Sequence, residues 1–375
     1  MAADAASPGW RVASGTVHVY RLFDVADAID LGAAEALAAA PTSRFRLERA
    51  RLHSAMEIPR PPVHLAMGSR SLPLASGERA CQLSVNLFDY GVASALYRIP
   101  IPPGTTLEEL LPLAEELQSP TPAVDAAARR EVEEIARGLR AALDRPHAWE
   151  GIETYTVFLV QAFDAPPRPR DLLSKETLAR LLLGERSRTP LAAAEREDVL
   201  KHHFSYLEDD LAVVDWNSAF VLEPSGVSDI PDLLEFATAQ LLELRYYDAL
   251  LDRELRRIYD EMEVSGRPSW AVLTRRYLRL QRQTAQLLLE LSETLEALEN
   301  AVKIVGDFYL ARLYQAAVRR FRLPAWRETV LRKHRMLAEV NRLLSDDAAT
   351  RRSELLEVVI ILLILWEVMY ALLRR

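Results

Sequence analysis

The residues best suited to chemistry lie between positions 215 and 248, where acids, an amide, an arginine and tyrosines follow one another at short spacing. An arginine flanked by acids and paired tyrosines can order a buried polar network, and the same side chains can line a binding groove. The sequence leaves both interpretations open. The candidate residues are Asp215, Trp216, Asn217, Glu235, Glu243, Arg245, Tyr246, Tyr247 and Asp248.

Elsewhere the chain has no motif of a familiar reaction. It contains no glycine-rich phosphate loop, nucleophile elbow, paired His-x-x-x-His or kinase-like motif. His202 and His203 precede acids at 208–210, but adjacent histidines on a helix point in different directions, so we interpret them as surface residues. The sequence therefore predicts no catalytic residue, cofactor or metal site, and favours a protein that is not an enzyme.

The C-terminal tail is apolar from Leu355 to Leu373 and is bracketed by arginine pairs at 351–352 and 374–375. A helix of this length rises about 28 Å, close to the roughly 30 Å hydrocarbon core of a bilayer. We predict a C-terminal transmembrane helix over residues 351–375. Glu367 is costly inside a membrane, so a buried helix in a soluble oligomer stays open as the alternative. Residues of the predicted membrane helix include Leu355, Val358, Ile361, Leu365, Trp366, Glu367 and Leu373.

Basic residues precede this tail, although the whole chain has a net charge of −8. By the positive-inside rule they predict a body in the cytoplasm and an anchor in the inner (cytoplasmic) membrane. They would also attract anionic lipid, whereas a nucleic-acid surface would use the same arginines on phosphates. The predicted juxtamembrane basic residues are Arg319, Arg320, Arg322, Arg332, Lys333, Arg335, Arg351 and Arg352.

The composition predicts an ordered protein of a reducing compartment. Half of the 375 residues are hydrophobic, which is enough for one large or two modest cores. Cys81 is the one cysteine, so no internal disulfide can form, and we interpret it as a buried strand residue. The first residues lack the basic and apolar regions of a secretory signal, so we expect the tail to be the targeting element.

The hydrophobic patterns predict an α+β fold with a duplicated strand–helix–hairpin–helix body. Each half contains a hairpin whose turn carries an acid and an aromatic, at 89–91 and at 215–217. Proline-rich residues 59–73 are interpreted as a loop. The predicted segments are a disordered N-terminus at 1–14, α/β units at 15–145 and 146–228, a long helical region at 229–350 and the membrane helix at 351–375.

The helical region is typical of a helical hairpin or coiled coil. One helix is predicted from Asp229 to about Met262, and a second from about Ser269. The second carries apolar and threonine residues at alternating spacings of four and three from Leu273 to Phe308.

Several segments resemble the YagE family, which is related to the eukaryotic "required for meiotic nuclear division" proteins. They are Phe88–Gly91, Val214–Ser225, Asp229–Ala237, Gln240–Asp252 and Arg351–Glu357. The resemblance implies an α/β body, a helical hairpin and a C-terminal membrane helix, and its mitochondrial members are associated with inner-membrane support of translation. It implies no catalytic residue.

These observations lead to one functional hypothesis and two alternatives. We expect a membrane-tethered scaffold or adaptor that forms homo-oligomers through its C-terminal helices and holds a cytoplasmic, translation-related protein partner near anionic lipids. No motif supports contact with nucleic acid or a ribosome. The alternatives are a membrane-associated enzyme acting on a nucleotide or lipid through residues 215–248, and a soluble oligomer with a buried C-terminal helix.

Overall fold

A computed structural model describes six segments of the chain, residues 10–44, 56–187, 189–264, 270–300, 303–304 and 309–373. They form a mixed α+β protein, which confirms the predicted class. The chain divides into two compact units. The sheet unit comprises Met1–Tyr246 and Ala297–Trp326, and the helical unit comprises Tyr247–Glu296 and Arg327–Arg375.

The described strands all lie in the sheet unit. β1 begins at Arg11, inside segment 1–14, which was expected to be disordered. Residues 1–9 lie outside the described part. The strands are β1 (Arg11–Asp24), β2 (Ala28–Ile29), β3 (Thr42–Arg44), β4 (Met56–Glu57), β5 (Val63–Leu74), β6 (Gly77–Leu87), β7 (Val92–Pro100), β8 (Thr105–Thr106), β9 (Leu143–Asp144), β10 (Glu153–Phe163), β11 (His203–Phe204), β12 (Leu211–Val214), β13 (Ser218–Leu222) and β14 (Lys303–Ile304).

The described helices range from single turns to very long elements. They are α1 (Leu31–Leu37), α2 (Leu107–Gln118), α3 (Pro122–Gly138), α4 (Pro169–Ser174), α5 (Glu176–Leu183), α6 (Ala193–Leu200), α7 (Asp229–Val264), α8 (Trp270–Asn300), α9 (Tyr309–Arg320) and α10 (Leu323–Leu373), and a 3-10 turn spans Arg140–Ala142.

One ten-stranded sheet organises the sheet unit, in the order β11-β12-β13-β10-β1-β7-β6-β5-β3, with β8 paired to β1. β1 runs antiparallel to both neighbours, whereas β10 runs parallel to β13. Each predicted hairpin thus lies beside the first strand of its own half. Strand directions differ between the halves, and the duplication stays a prediction.

The two faces of β1 bury different groups because side chains alternate along a strand. Val17, Val19 and Phe23 belong to the core that includes the apolar faces of α2, α3 and α5. On the same face the guanidinium of Arg21 is buried against Asp125 of α3, at 2.7 Å. The opposite face carries buried polar residues, among them His18 and Asp24, and Asp24 belongs to the histidine cluster described below.

Both predicted hairpins are confirmed: β6 pairs with β7, and β12 pairs with β13. Cys81 is buried in β6, as predicted. The predicted loop at 59–73 is wrong, because residues 63–74 form β5 and pair along the whole of β6. Two residues hid the sequence pattern of this strand. Gly68 has φ +79° at a register shift, and Pro73 lies near the end of the strand pair.

The helical unit contains an antiparallel hairpin of α7 and α8. Tyr247 contacts Thr294, and further along Arg257 donates to Gln283, so the residue numbers rise in one helix as they fall in the other. Two predicted seam residues of α8 in this unit, Thr284 and Leu291, are buried. The seam ends earlier than predicted, because α8 stops at Asn300; residues 305–308 lie outside the described part.

α10 is continuous to Leu373, but the transmembrane expectation at 351–375 needs correction. No helix in the described residues is long and apolar enough to cross a membrane. Glu357 and Glu367 bracket an uncharged run of nine residues, which rises only about 14 Å, half of a hydrocarbon core. Side chains of the predicted residues Arg351, Arg352, Leu355, Glu367 and Leu373 lie outside the described part.

The described side chains at the end of α10 are nevertheless exposed. From Val358 to Trp366 each has between 49% and 65% of its surface accessible, including Ile361 and Leu365. Because successive helical residues point in all directions around the axis, no side of this run is covered by the described protein.

Candidate functional site

The structure divides the nine candidate residues at 215–248 among four places. Residues one turn apart on α7 face one direction, and intervening residues face others. Trp216, Asn217 and Arg245 line one groove, with Asp215 buried beside it. Glu235 lies in a separate pocket. Tyr246 stacks on a half-buried histidine and Glu243 lies near the acids of the same cluster, while Tyr247 and Asp248 belong to the helical unit.

The arginine–tryptophan groove is a cavity of about 670 Å³ in the sheet unit. Its volume lies in the range of small-molecule sites, roughly 300–1,000 Å³. The β12–β13 turn, α7, and the α9–α10 connection supply its polar and aromatic lining. The lining residues are Gln118, Ile152, Glu153, Thr154, Trp216, Asn217, Leu241, Arg245, Arg320, Phe321, Arg322 and Trp326.

Two of the three arginines in this groove are held by acids. Arg320 binds buried Asp215 through Nε at 2.9 Å and also reaches Asp198 at 2.9 Å. Arg245 donates to Glu153 of β10, and its guanidinium carbon lies 6.0 Å from the Trp326 ring centroid. Burial raises the pKa of Glu153, while Arg245 opposes that shift. Each pair keeps a guanidinium in a fixed orientation.

The third arginine is free of such pairing. Arg322 is exposed, and its guanidinium has no ion pair or hydrogen bond among the described residues. It adopts φ +58°, a left-handed conformation that is uncommon for residues other than glycine. Trp216, at the hairpin turn, exposes 63% of its surface.

The acid pocket is a smaller cavity of about 160 Å³, lined among others by His64, Asn86, Arg98, Asp232 and Glu235. Glu235 is 3% exposed and accepts a hydrogen bond from the Asn86 amide at 2.7 Å. The Asn86 carbonyl oxygen in turn lies 2.8 Å from Nδ1 of His64. These contacts connect α7 to β5 and β6 through a chain of polar side chains.

Burial raises the pKa of Glu235 to about 7. Burial and the nearby Glu235 charge raise the pKa of Asp232 as well. A carboxyl that titrates near neutrality suits proton transfer. The cavity, however, has only about half the volume at which small-molecule sites begin, so the acid pocket fits a few waters rather than a metabolite.

A third polar cluster surrounds His147. Its Nε2 lies 2.9 Å from Asp24, its Nδ1 lies 3.3 Å from Asp27, and its ring stacks on Tyr246 at 4.6 Å. Burial alone would lower the pKa of His147, but the hydrogen bonds with the two carboxylates raise it to about 9. The ring is therefore an imidazolium at neutral pH and compensates buried Asp24.

Glu243 completes this cluster from α7. Burial, with the charges of Asp24, Asp27 and Asp89, raises the pKa of Glu243 well above its usual range, which favours the protonated carboxyl. Among the described residues no group of three or more histidine, cysteine or acidic side chains is arranged to hold a metal ion. The cluster joins α7 to β1, because Tyr246 stacks on His147 and His147 contacts Asp24.

The predicted basic residues have diverse surroundings. Lys333 binds Asp248 and Asp252 at 2.6 Å each within the helical unit, and Arg320 is paired as described above. Arg319, Arg332 and Arg335 are exposed.

Sequence reasoning missed three residues of these sites. It missed His147, because the acids that His147 contacts lie in and directly after β1, far away in the chain. It also missed Arg98 and Asp232, which line the acid pocket.

The comparisons concern mainly the sheet unit. The family model described as "Uncharacterized protein MJ0711, N-terminal domain" matches residues 14–229, which is more than half of the chain and extends from within β1 to beyond β13. The protein MJ0711 of Methanocaldococcus jannaschii, printed as uncharacterized, is 25% identical over 237 residues, covering 61% of this chain and 69% of that protein. The chain belongs to the MJ0711 N-terminal domain family.

Proposed function

We propose that this protein is an adaptor that attaches to the cytoplasmic membrane through the end of α10 and holds a protein partner there. The exposed apolar run Val358–Trp366 is the observation that carries the proposal. Monomeric soluble proteins rarely expose large contiguous apolar patches, and those that do use them for membranes or partners. Attachment raises the local concentration of a partner without chemistry.

Charge supports the membrane as the attachment site. Arg351 and Arg352 precede the apolar run in the sequence, and basic residues beside an apolar segment favour anionic lipid. Trp366 near the end of the run is a residue type enriched at membrane interfaces. The proposal requires attachment, with the body in the cytoplasm, and does not require that the described helix cross the bilayer.

The pairing of the candidate polar residues also supports an adaptor. Asp215 binds Arg320, Arg245 binds Glu153, and Asp248 binds Lys333. Groups that satisfy one another stabilise the fold, whereas a catalytic acid or base must reach a substrate.

A second candidate function is a membrane-associated enzyme that acts on a nucleotide or lipid through residues 215–248. The arginine–tryptophan groove favours it, because a concave site with convergent polar groups is what this hypothesis expects. Its lining acid, Glu153, is already bound to Arg245, which favours ligand binding over proton transfer. A translation-related partner is proposed from the YagE resemblance alone.

Membrane fractionation of the full chain and of a chain ending at Ala349 tests the adaptor. After a carbonate wash, only the full chain should remain in the membrane pellet, and the shortened chain should be folded and soluble. If both chains are soluble and only the full chain assembles into a larger species, the tail is an oligomerisation helix and membrane attachment is wrong.

A further inference from the structure

The arginine–tryptophan groove combines fixed cations with an exposed aromatic surface. Acids on neighbouring elements hold Arg245 and Arg320, so these guanidinium groups need no ordering when a ligand arrives. Arg322 adds a cation without a bound acid. Because acids neutralise Arg245 and Arg320, Arg322 is the uncompensated cation among the described lining residues, and it favours a ligand with a negatively charged group.

Arg322 has a left-handed backbone conformation in which glycine would be less strained. At the end of a helix a left-handed residue is most often glycine, because a side chain there is strained. Arg322 follows α9 at φ +58°, is exposed, and lines the groove. The fold thus keeps a strained arginine that makes no ion pair within the described protein, as expected of a residue that contacts a ligand.

Trp216 supplies the exposed aromatic surface of the groove. The hairpin turn between β12 and β13 holds it, and the two strands pair over four successive residue pairs. An indole with 63% of its surface exposed on such a support loses little conformational entropy when a planar ring stacks on it. On the other wall Trp326 already lies beside Arg245.

We propose that this groove binds a nucleotide, with the base stacked on Trp216 and the phosphate bound by Arg322. The volume of about 670 Å³ suits one nucleotide, either free or as an unstacked residue of a single strand. The proposal concerns binding alone and depends neither on membrane attachment nor on any reaction. A failure of the adaptor hypothesis would leave it untouched.

Equilibrium dialysis of the purified full chain against adenosine 5′-monophosphate tests the proposal, with inorganic phosphate and a short single-stranded RNA as competitors. The informative variant is Arg322→Gly, because glycine suits the left-handed backbone and should keep or raise the melting temperature. We expect it to weaken nucleotide binding at least about tenfold. Trp216→Ala should weaken binding similarly, whereas Arg319→Ala, which removes an exposed arginine outside the groove, should change it less than about twofold.

Stronger competition by the RNA than by the free nucleotide would support the proposal and identify a strand as the source of the nucleotide. Competition by inorganic phosphate as strong as that by the nucleotide would overturn it, because the base would contribute nothing. Unchanged binding in Arg322→Gly or in Trp216→Ala, or no saturable binding of any probe, would also overturn it.

Discussion

Glu235 shows how position decides the charge of a single carboxyl. Glu235 accepts a hydrogen bond from the Asn86 amide, and burial raises its pKa to about 7. The unfolded chain has an ordinary glutamate near 4.5. The folded state therefore binds the proton more tightly, and the stability of the protein falls as the pH rises from about 4.5 to 7.

The substitution Glu235→Gln should remove this pH dependence. Glutamine keeps an oxygen for Asn86 and carries no charge, so the variant should gain on the order of 3 kcal/mol relative to the parent between pH 4.5 and pH 7. Chemical denaturation across this range provides the measurement. Glu133→Gln, at an exposed position of α3, is the control and should leave the profile unchanged. Parallel profiles for Glu235→Gln and the parent would show that Glu235 titrates normally.

His147 is a base whereas Glu235 is an acid, but the stabilisation of the protein by His147 also falls as the pH rises. Its pKa rises from 6.5 in the unfolded chain to about 9 in the folded protein. The stabilisation by the imidazolium is thus complete below about pH 6.5 and is lost as the pH rises through 9. His147→Gln should cost about 2 kcal/mol at pH 6.5, after allowance for partial solvent screening, and much less at pH 9.5.

Thermal unfolding of His147→Gln at these two pH values measures the difference. His203→Gln is the matched control, because His203 is exposed and binds a backbone carbonyl rather than an acid. An equal cost of His147→Gln at both pH values would contradict an imidazolium between Asp24 and Asp27.

These residue-scale properties could not be predicted from the sequence. Glu235 was singled out among residues 215–248, but its partner Asn86 lies 149 positions away. His147 carries no local pattern, since its acids are in β1 and the segment after it. A perturbed pKa arises from burial and from neighbours that only the fold brings together.

Among the elements, the turn between β6 and β7 depends on one glycine. Gly91 has φ +96°, and a Cβ at this position would lie 1.8 Å from the Ala26 carbonyl oxygen. Its own carbonyl accepts a hydrogen bond from Val25, which ties the turn to the end of β1. The turn therefore needs glycine for both its conformation and its space.

Gly91→Ala should destabilise the protein by about 3 kcal/mol or more, the sum of backbone strain and a steric clash. The control is Gly138→Ala at the end of α3, where nothing lies within 4 Å of an added Cβ. That change should be neutral or stabilise by up to about 1 kcal/mol. Urea unfolding of both variants makes the comparison, and equal stabilities would show that the turn adapts freely.

Local elements were largely predictable, because their signals are local. The acid–aromatic–glycine turn at 89–91 predicted a hairpin, and Thr106 with Glu109 forms the capping box that begins α2. β5 was missed because Gly68 and Pro73 resemble loop residues when the partner strand is unknown. Only the pairing with β6 explains how both fit within a strand.

At the scale of the whole molecule, the strand order was beyond sequence reasoning. β1 and β10 are separated by more than a hundred residues and yet pair at the centre of the sheet. Such pairing is decided by complementary faces rather than by local propensity. The division into a sheet unit and a helical unit also differs from the predicted segments, since residues 297–326 return to the sheet unit.

We expect the end of α10 to determine whether the whole protein binds to the membrane. Ile361 and Leu365 expose 56% and 59% of their surfaces, so glutamates at both positions should leave the fold intact. They should also abolish attachment, because charged groups are costly in an apolar phase. Leu289 and Tyr259, exposed by 67% and 54% elsewhere in the helical unit, provide the matched control pair.

The most direct test is flotation of the purified full chain with vesicles that contain anionic phosphatidylglycerol. If the end of α10 attaches the protein to membranes, the parent and the Leu289→Glu, Tyr259→Glu control should float with the vesicles, while the Ile361→Glu, Leu365→Glu variant should stay at the bottom of the gradient. A parent that does not float, and that forms an oligomer which the same α10 substitutions dissociate, would contradict membrane attachment and assign this helix to self-assembly.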